Sequence, residues 1–308
     1  MEKKKNDFIA QGSILAIASI LVRVMGMIYR IPMTAIIGDK GNGFYSYAYS
    51  VYTILLLLSS YSLPLAVSKM VSAKAQLGQW RNVKRVFICA IAFAIGIGTT
   101  FGLIVLIGAQ FFTRVFFHSE LAAIALRFMA PTILIMALLG VFRGFFQGLQ
   151  NTLPTAVSQI VEGLINAIMS VVFAYFLFDF GHGMDAAGGT TDLGYAWGAA
   201  GGAIGTGAGA LAGLIFCFIL FVAYRKILAV NISRDKTGTQ QEYGDIFRLM
   251  LSIALPVILS TALYNLIELV DGSLFNNIMA SKGMEDVKDS MWGAYNAKAL
   301  LLVHIPVS

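Results

Sequence analysis

The sequence predicts an all-α fold, a polytopic transmembrane helix bundle, and three observations predict it. The 308 residues are 58% apolar and 12% charged, whereas an ordinary soluble domain is about 25% charged. Apolar runs of about 20 residues or more, the length needed to cross a hydrocarbon core of about 30 Å, recur along the chain. Basic residues concentrate in alternate polar segments, as the positive-inside rule requires.

The apolar runs predict seven complete spans and the start of an eighth near Ala297. The complete spans are 8–37, 44–66, 86–112, 122–142, 154–178, 196–224 and 249–279. The polar stretch at 225–248 is the longest between spans, so it suits a linker between two parts of a bundle. We therefore divide the chain into a six-helix transmembrane lobe at 1–224, a cytoplasmic linker at 225–248 and a third segment at 249–308.

A cytoplasmic N-terminus gives the best distribution of charge. It places the basic segments 3–5, 69–85 and 225–248, together with Arg143, on the inside. The net charge of +6 is then a consequence of topology, and we predict the lipid bilayer and no nucleic acid as a partner. The lysines at 3–5 resemble a signal n-region, but the apolar stretch behind them is too long for a cleavable signal, so we expect a retained first span.

The first span carries two arginines in what should be bilayer. Arg23 lies about 24 Å along the helix from Asp7, near the midplane, where an arginine costs about 2.5–3.5 kcal/mol on insertion. Arg30 follows two turns later on nearly the same face, which favours a cationic face toward a cavity. A structural role is the alternative to substrate binding for each side chain. Arg23 would then pair with a buried acid on a neighbouring helix, and Arg30 would extend to the outer interface, where Pro32 ends or kinks the helix.

Three acidic residues and one amide are further candidates. Glu162 and Asn166 lie on one face of the fifth span, and Glu162 is deep enough to need a partner, for which Arg23 is the natural candidate. Glu268 and Asp271, near the outer end of the seventh span, are candidates for coupling to a cation. These residues complete the set that the sequence marks for binding or coupling within the spans.

Four tyrosines begin the second span, and glycines recur in the sixth. The tyrosines predict an aromatic belt at the outer interface, with a sugar-stacking platform as the alternative. The glycines are spaced by four residues, which predicts close helix packing in lipid. The tyrosines are Tyr45, Tyr47, Tyr49 and Tyr52, and the glycine rows are Gly201, Gly205, Gly209 and Gly213, and Gly198 and Gly202.

Enzymatic chemistry finds little support in the sequence. The histidines His118, His182 and His304 are isolated, and no paired aspartates or metal-ligand spacing occur. Cys89 and Cys217 lie in apolar runs and suggest neither a disulfide framework nor a metal site. We expect a transporter with no cofactor, apart from a coupling cation that would be sodium or a proton.

The residue pattern resembles the polysaccharide-exporter branch of the multidrug/oligosaccharidyl-lipid/polysaccharide (MOP) flippase superfamily, in the group of stage V sporulation protein B, YtgP and MurJ-type lipid II flippases. The resemblance covers the whole chain. It rests on the first span and its exit, 23–32, 37–39 and 43–45, on 63–68, and on 254–256 with 269–271.

Members of this family are expected to have fourteen helices, with two six-helix lobes around a central cavity. This chain would hold the first lobe, helix 7 and the start of helix 8, so a missing C-terminal half is an expected partner. The resemblance implies that Arg23 and Arg30 contact the diphosphate of an undecaprenyl-linked saccharide, with Lys298 as a loose match to a basic position of helix 8. The arginines are seven residues apart here and six in Gram-negative members, which weakens the match of Arg30.

The resulting prediction is a flippase in the bacterial plasma membrane that moves a lipid-linked oligosaccharide from the inner to the outer leaflet by alternating access. Lipid II is the preferred substrate, ahead of teichoic-acid and capsule precursors. The alternatives are a multidrug cation antiporter of the MATE type, which needs an acidic midplane where this chain offers arginines, and a membrane enzyme acting on polyprenyl-linked sugars.

Overall fold

The computed structural model of the chain describes residues 2–188 and 192–299, except for the side chains of residues 2–11, 61, 262–264 and 268. The described residues form eight α-helices and two short π-helical segments, and none of them forms a strand, which confirms the all-α fold. The helices are α1 (Glu2–Leu56), α2 (Leu63–Gln76), α3 (Trp80–Phe117), α4 (Ala122–Gly148), α5 (Leu153–Gly188), α6 (Leu193–Ser233), α7 (Tyr243–Ser281) and α8 (Glu285–Ala294). The π-helical segments are Leu57–Tyr61 and Tyr295–Ala299.

Six helical stretches of the described chain are long and apolar enough to cross a membrane. The first, Gly12–Gln76, has 65 residues and would be roughly 98 Å long if it were straight. That length far exceeds one bilayer crossing, and the stretch contains the first two predicted spans. The protein is therefore a multi-pass membrane protein.

The chain reverses direction inside α1 at Gly38. This residue has φ 63° and ψ −178°, a backbone conformation that is essentially restricted to glycine. Met33 and Tyr45, which lie on opposite sides of Gly38, both contact Gly202 of α6. Asn42 stabilises the turn by donating hydrogen bonds to Gly38 O at 2.9 Å and Thr34 Oγ1 at 3.1 Å. We call this end of the bundle the Gly38 end and the opposite end the linker end.

Helix α6 packs closely against two neighbours through its glycines. A Cβ at Gly201 or Gly205 would collide with the backbone of α5, so the two helices touch at backbone distance. A Cβ at Gly198 or Gly202 would collide with side chains of α1, which are Met33 and Ile37 before the turn and Tyr45 after it. The predicted close packing is confirmed: the row from Gly201 to Gly213 packs mainly on α5, whereas Gly198 and Gly202 pack mainly on α1.

Helix α4 lies at the centre of the bundle, and α2 packs along it. Pro64, Val67 and Val71 of α2 fit against three glycines of α4 at four-residue spacing. The glycines are Gly140, Gly144 and Gly148. An aromatic cluster joins α3, α4 and α6 at the linker end. Its members are the buried residues Phe87, Phe142 and Phe145 and the partly buried Phe221. This end of the bundle is therefore tightly packed.

The connection between α6 and α7 is shorter than predicted, because only residues 234–242 are non-helical. These residues bind the start of α3. Asp235 accepts a hydrogen bond from the Arg81 amide at 3.0 Å, and Asn82 Oδ1 accepts one from the Gln241 amide at 3.0 Å. The hydrogen bonds from Arg81 and Thr237 lower the pKa of Asp235 to about 2. The linker is thus held on the first lobe.

The eighth helical element begins earlier than the predicted start near Ala297. Helix α8 starts at Glu285, and a π-helical segment at Tyr295–Ala299 continues it. The apolar pattern did not reveal α8 because its ten residues include four charged side chains. The helix packs across the Gly38 end against α1, as described below.

Candidate functional site

The two arginines of α1 lie on a flank that differs from the exposed apolar face of the helix. With 3.6 residues per turn they are about 20° apart, and roughly 130° from the centre of the exposed apolar row. That row consists of Ile14, Ile17, Ile20, Leu21, Val24, Ile28 and Ile31. If the apolar row faces lipid, Arg23 and Arg30 face away from it. Arg23 is exposed and Arg30 is half-buried.

The depth of Arg23 is set by the packing of α1 on α5. The side chains of Val22 and Met25 contact α5 at Gly163, where a Cβ would lie 3.2 Å from both. Arg23 therefore lies at the level of Glu162, the residue next to Gly163. Among the residues whose side chains the structure describes, Arg23 makes no hydrogen bond or ion pair.

Glu162 has a different partner from the one that the sequence suggested. Its Oε2 lies 2.7 Å from a terminal nitrogen of Arg143 on α4. Arg143 Nε also donates to Ser158 Oγ at 2.8 Å, and Ser158 Oγ donates to Thr155 O at 2.7 Å. The Arg143 side chain is 11% exposed and that of Glu162 is 25% exposed. The prediction that Arg23 neutralises Glu162 is therefore wrong, because Arg143 does so.

Arg143 is the residue that sequence reasoning missed. The fourth span was predicted to end at 142, which made Arg143 a cytoplasmic loop residue, but α4 continues to Gly148. Apolar residues on both sides of Arg143 were a signal that the helix continues. The short connection to α5, which places a deep Glu162 on the facing helix, was a second signal.

A row of tyrosines connects the levels of the two arginines. Tyr45 lies near Arg30, and Tyr52 lies near Glu162. Tyr49 lies between them, with its ring centroid 5.9 Å from the centroids of both Tyr45 and Tyr52. Tyr49 is also the exposed member of the row. The ring of Tyr49 is therefore the exposed aromatic surface between the levels of the two arginines.

The predicted interfacial belt is wrong for two of the four tyrosines. Tyr47 and Tyr52 have almost no exposed surface and belong to the buried core. Tyr47 stacks on Phe117 with ring centroids 4.7 Å apart. Tyr45 donates or accepts a hydrogen bond with Thr206 at 3.3 Å. The row of aromatic residues therefore joins α1 to the lobe instead of anchoring it in the interface.

Asn166 lies one turn from Glu162 on α5, as predicted. Its Oδ1 accepts a hydrogen bond from Ser170 Oγ at 2.8 Å, and its side chain packs against Gly209. Asn166 therefore belongs to the same group as Glu162 and Arg23 by position, although its amide already has a partner on its own helix.

The remaining candidates lie apart from this group. Lys298 pairs with Asp39 at 2.7 Å beside the Gly38 turn, roughly 13 Å along the helix from Arg30. Asp271 is exposed on α7, and the side chain of Glu268 lies outside the described residues. In the part of the chain that the structure describes, no cluster of three or more histidine, cysteine or acidic residues could hold a metal ion.

The comparison with protein families gives one match over nearly the whole chain. The model described as "Polysaccharide biosynthesis protein" matches residues 8–308. This match agrees with the resemblance that the first span suggested.

Individual relatives come from Bacillus subtilis. The chain is 26% identical to the lipid II flippase MurJ over 96% of this chain and 54% of that protein. It is 25% identical to stage V sporulation protein B over 98% of this chain and 55% of that protein. The chain thus spans about half the length of the curated relatives that it matches, and the name of the first relative agrees with a transporter instead of an enzyme.

A solved structure supports the fold. A MOP superfamily transporter from Pyrococcus furiosus aligns with a TM-score of 0.57 at 15% identity, over 92% of this chain and 61% of that chain. At this identity the likeness shows the fold alone, and it confirms the predicted MOP-like helix bundle. Because the family model matches residues 8–308, the chain belongs to the polysaccharide biosynthesis protein family.

Proposed function

We propose that this chain forms the substrate-binding part of a flippase for an undecaprenyl-diphosphate-linked saccharide, with lipid II as the substrate. The observation that carries the proposal is the charge at the level of Glu162. The carboxylate is neutralised by Arg143 at 2.7 Å, whereas Arg23 at the same level has no partner among the described residues. The level therefore has an excess of positive charge that a diphosphate would satisfy.

The chemistry of the two groups is complementary. A guanidinium donates paired hydrogen bonds to phosphate oxygens, and such charge-assisted bonds are about twice as strong as neutral ones. Arg30, two turns from Arg23, would take the second phosphate or the first sugar, while the prenyl chain stays in lipid beside the apolar row. The exposed ring of Tyr49 offers a flat surface for the saccharide.

The same charge distribution disfavours a cationic substrate. A multidrug cation antiporter needs an unneutralised acid in its binding site, but Glu162 is already paired. The names of the two Bacillus subtilis relatives also favour lipid-linked or sporulation-related functions over drug efflux.

Transport itself would require a second lobe, which we propose as a partner of this chain. In the proposed cycle the first lobe, with a cytoplasmic N-terminus, rocks against a second lobe, and the diphosphate passes between them from the inner to the outer leaflet. Coupling to a cation, sodium or a proton, through Glu268 or Asp271 remains part of the proposal. Lys298 would bind substrate only after release from Asp39.

Native mass spectrometry of the purified chain with lipid II tests the proposal. Each of Arg23→Ala and Arg30→Ala removes a charged hydrogen-bond donor worth about 1.5–3 kcal/mol, so binding should weaken roughly 10- to 100-fold. The matched control is Arg127→Ala, which removes an exposed arginine from α4 and should leave binding unchanged. Binding of a cationic dye in place of lipid II, or lipid binding that is equal in all variants, would contradict the proposal.

A further inference from the structure

Helix α8 crosses the Gly38 end in direct backbone contact with α1. Gly43 lies against the carbonyl of Asp289, and Gly293 lies against the carbonyl of Asp39, so neither glycine has room for a Cβ. The indole of Trp292 packs on Phe275 of α7 with ring centroids 5.2 Å apart. Helix α8 therefore connects the first lobe to α7 at this end.

The first of two consecutive buried charges on α8 is held by α3. Lys288 is 4% exposed, and its Nζ donates to His118 O at 2.9 Å and Phe117 O at 3.4 Å. These carbonyls belong to the C-terminal end of α3, where a helix favours positive charge. The ammonium of Lys288 therefore binds these carbonyls and makes no ion pair with the carboxylate of Asp289.

The second charge, Asp289, has one unsatisfied oxygen. Its side chain is 9% exposed, and its Oδ1 is buried without a hydrogen-bond partner in the described part of the molecule. The carboxyl group lies beside the Tyr47 hydroxyl. Tyr47 donates its single proton to Asn276 Oδ1 at 2.9 Å, and the Asn276 amide donates to Gly272 O at 2.8 Å.

The direction of these hydrogen bonds depends on whether the carboxyl group of Asp289 is protonated or ionised. A protonated carboxyl group can donate to the Tyr47 oxygen, which completes a chain from Asp289 through Tyr47 and Asn276 to Gly272. An ionised carboxylate accepts only, so it competes with Asn276 for the one Tyr47 proton. A buried carboxylate with an unsatisfied oxygen is also costly.

We propose that Asp289 is a proton-binding site and that its protonation docks α8 on α1 and α7, closing the Gly38 end of the bundle. The site lies between the first lobe and the segment that follows the linker. The proposal does not depend on the identity of the transported lipid. It gives a coupling proton a binding position that differs from Glu268 and Asp271.

The charged groups around Asp289 are few. Lys40 of α1 forms an ion pair at 2.7 Å with Asp192, which precedes α6, so these two charges largely cancel. Lys288 is held on α3 beside His118, and α7 contributes the neutral Asn276. Burial raises the pKa of Asp289 above its usual value, and the charge of Lys288 and the Tyr47 hydroxyl offset this in part.

The sign of the pH dependence follows from the raised pKa. The docked state binds a proton more tightly than the undocked state, so docking is strongest below the ordinary aspartate pKa of about 3.9. Docking weakens as the pH rises through the raised pKa of Asp289. Asparagine at this position keeps a donor toward Tyr47 and carries no charge, so it mimics the protonated form.

The test uses the emission of Trp292 in the full chain carrying Trp80→Phe and Trp197→Phe, titrated from pH 4 to pH 9. We expect a reversible transition in this parent, and a spectrum in Asp289→Asn that stays at the low-pH form throughout. Asp286→Asn, on an exposed residue of α8, is the matched control and should keep the transition.

Two results would overturn the proposal: a parent with no transition, or a transition that persists in Asp289→Asn. A second measurement needs no aspartate substitution. The thermal midpoint of the unmodified chain in detergent should fall as the pH rises through the same interval, and a midpoint that is flat or rises there would also refute the proposal. Neither readout involves lipid II, so failure here is distinct from failure of the proposed function.

Discussion

Removing either side chain of the Arg143–Glu162 pair should destabilise the bundle. The two groups are 2.7 Å apart, and the side chains are 11% and 25% exposed. Loss of one partner of a buried pair costs about 3–5 kcal/mol, because the other charge stays buried and unpaired. Since a quarter of the Glu162 side chain is exposed, we expect the lower end of that range, about 3 kcal/mol, for Arg143→Ala.

A double-mutant cycle separates the pair from the rest of the site. Arg143→Ala, Glu162→Gln and the double variant are unfolded with denaturant in mixed micelles, and the free energy of unfolding is followed by far-ultraviolet circular dichroism. We expect a coupling energy of about 2 kcal/mol, above the values near 0.6 kcal/mol that are typical of hydrogen bonds between membrane helices, because both groups are charged.

The chain provides its own control for this cycle. Arg114 and Glu120 form an ion pair at 3.6 Å, but their side chains are 72% and 57% exposed. Exposed pairs contribute about 0–1 kcal/mol, so the same cycle on this pair should give a coupling energy near zero. A coupling energy for Arg143 and Glu162 that does not exceed the control value would refute the reasoning.

Three further predictions concern packing, backbone and the linker. Gly205→Leu should strongly lower the thermal midpoint, since a side chain there collides with α5, while Gly96→Ala, which has open space, should not. Gly38→Ala should reduce the free energy of unfolding by about 1–3 kcal/mol, whereas Gly26→Ala on the same helix should leave it unchanged or raise it slightly. The depressed pKa of Asp235, about 2, means that the contribution of its hydrogen bond from the Arg81 amide is present above about pH 4 and is lost as the pH falls through 2. Pepsin cleavage at the apolar residues that flank 234–242 should therefore accelerate between pH 4 and pH 2, and Asp235→Asn should remove this dependence; an unchanged rate profile in that variant would count against this role of Asp235.

The helices that could be predicted from the sequence were those with long apolar runs. Their order agrees with the structure, although the first two predicted spans form one helical stretch, Gly12–Gln76, and the two glycine rows of α6 correctly indicated close contacts. The predicted helix boundaries were wrong where polar residues are buried inside a helix. Arg143 was assigned to a loop because a charged residue normally ends an apolar run, and α8 was missed because its charges are satisfied or buried by tertiary contacts.

The composition of the site was harder to predict than the fold. Spacing placed Arg23 and Arg30 on one face, and the exposed apolar row of α1 agrees with that placement. Spacing alone could not decide which cation neutralises Glu162, because the answer depends on how far α4 extends toward the linker end. The burial of Tyr47 and Tyr52 depends in the same way on tertiary structure. The reversal at Gly38 directs the second segment of α1 toward the core of the lobe.

The glycine rows of α6 also restrict how this molecule can deform. Helices that touch at backbone level cannot slide without lifting over one another, so α5, α6 and both segments of α1 should move as a single rigid body. Relative motion is then concentrated at the nine-residue connection 234–242 and at the contacts of α8. A mechanical coupling between the two ends follows, because this connection at one end and the short helix α8 at the other border the same rigid block.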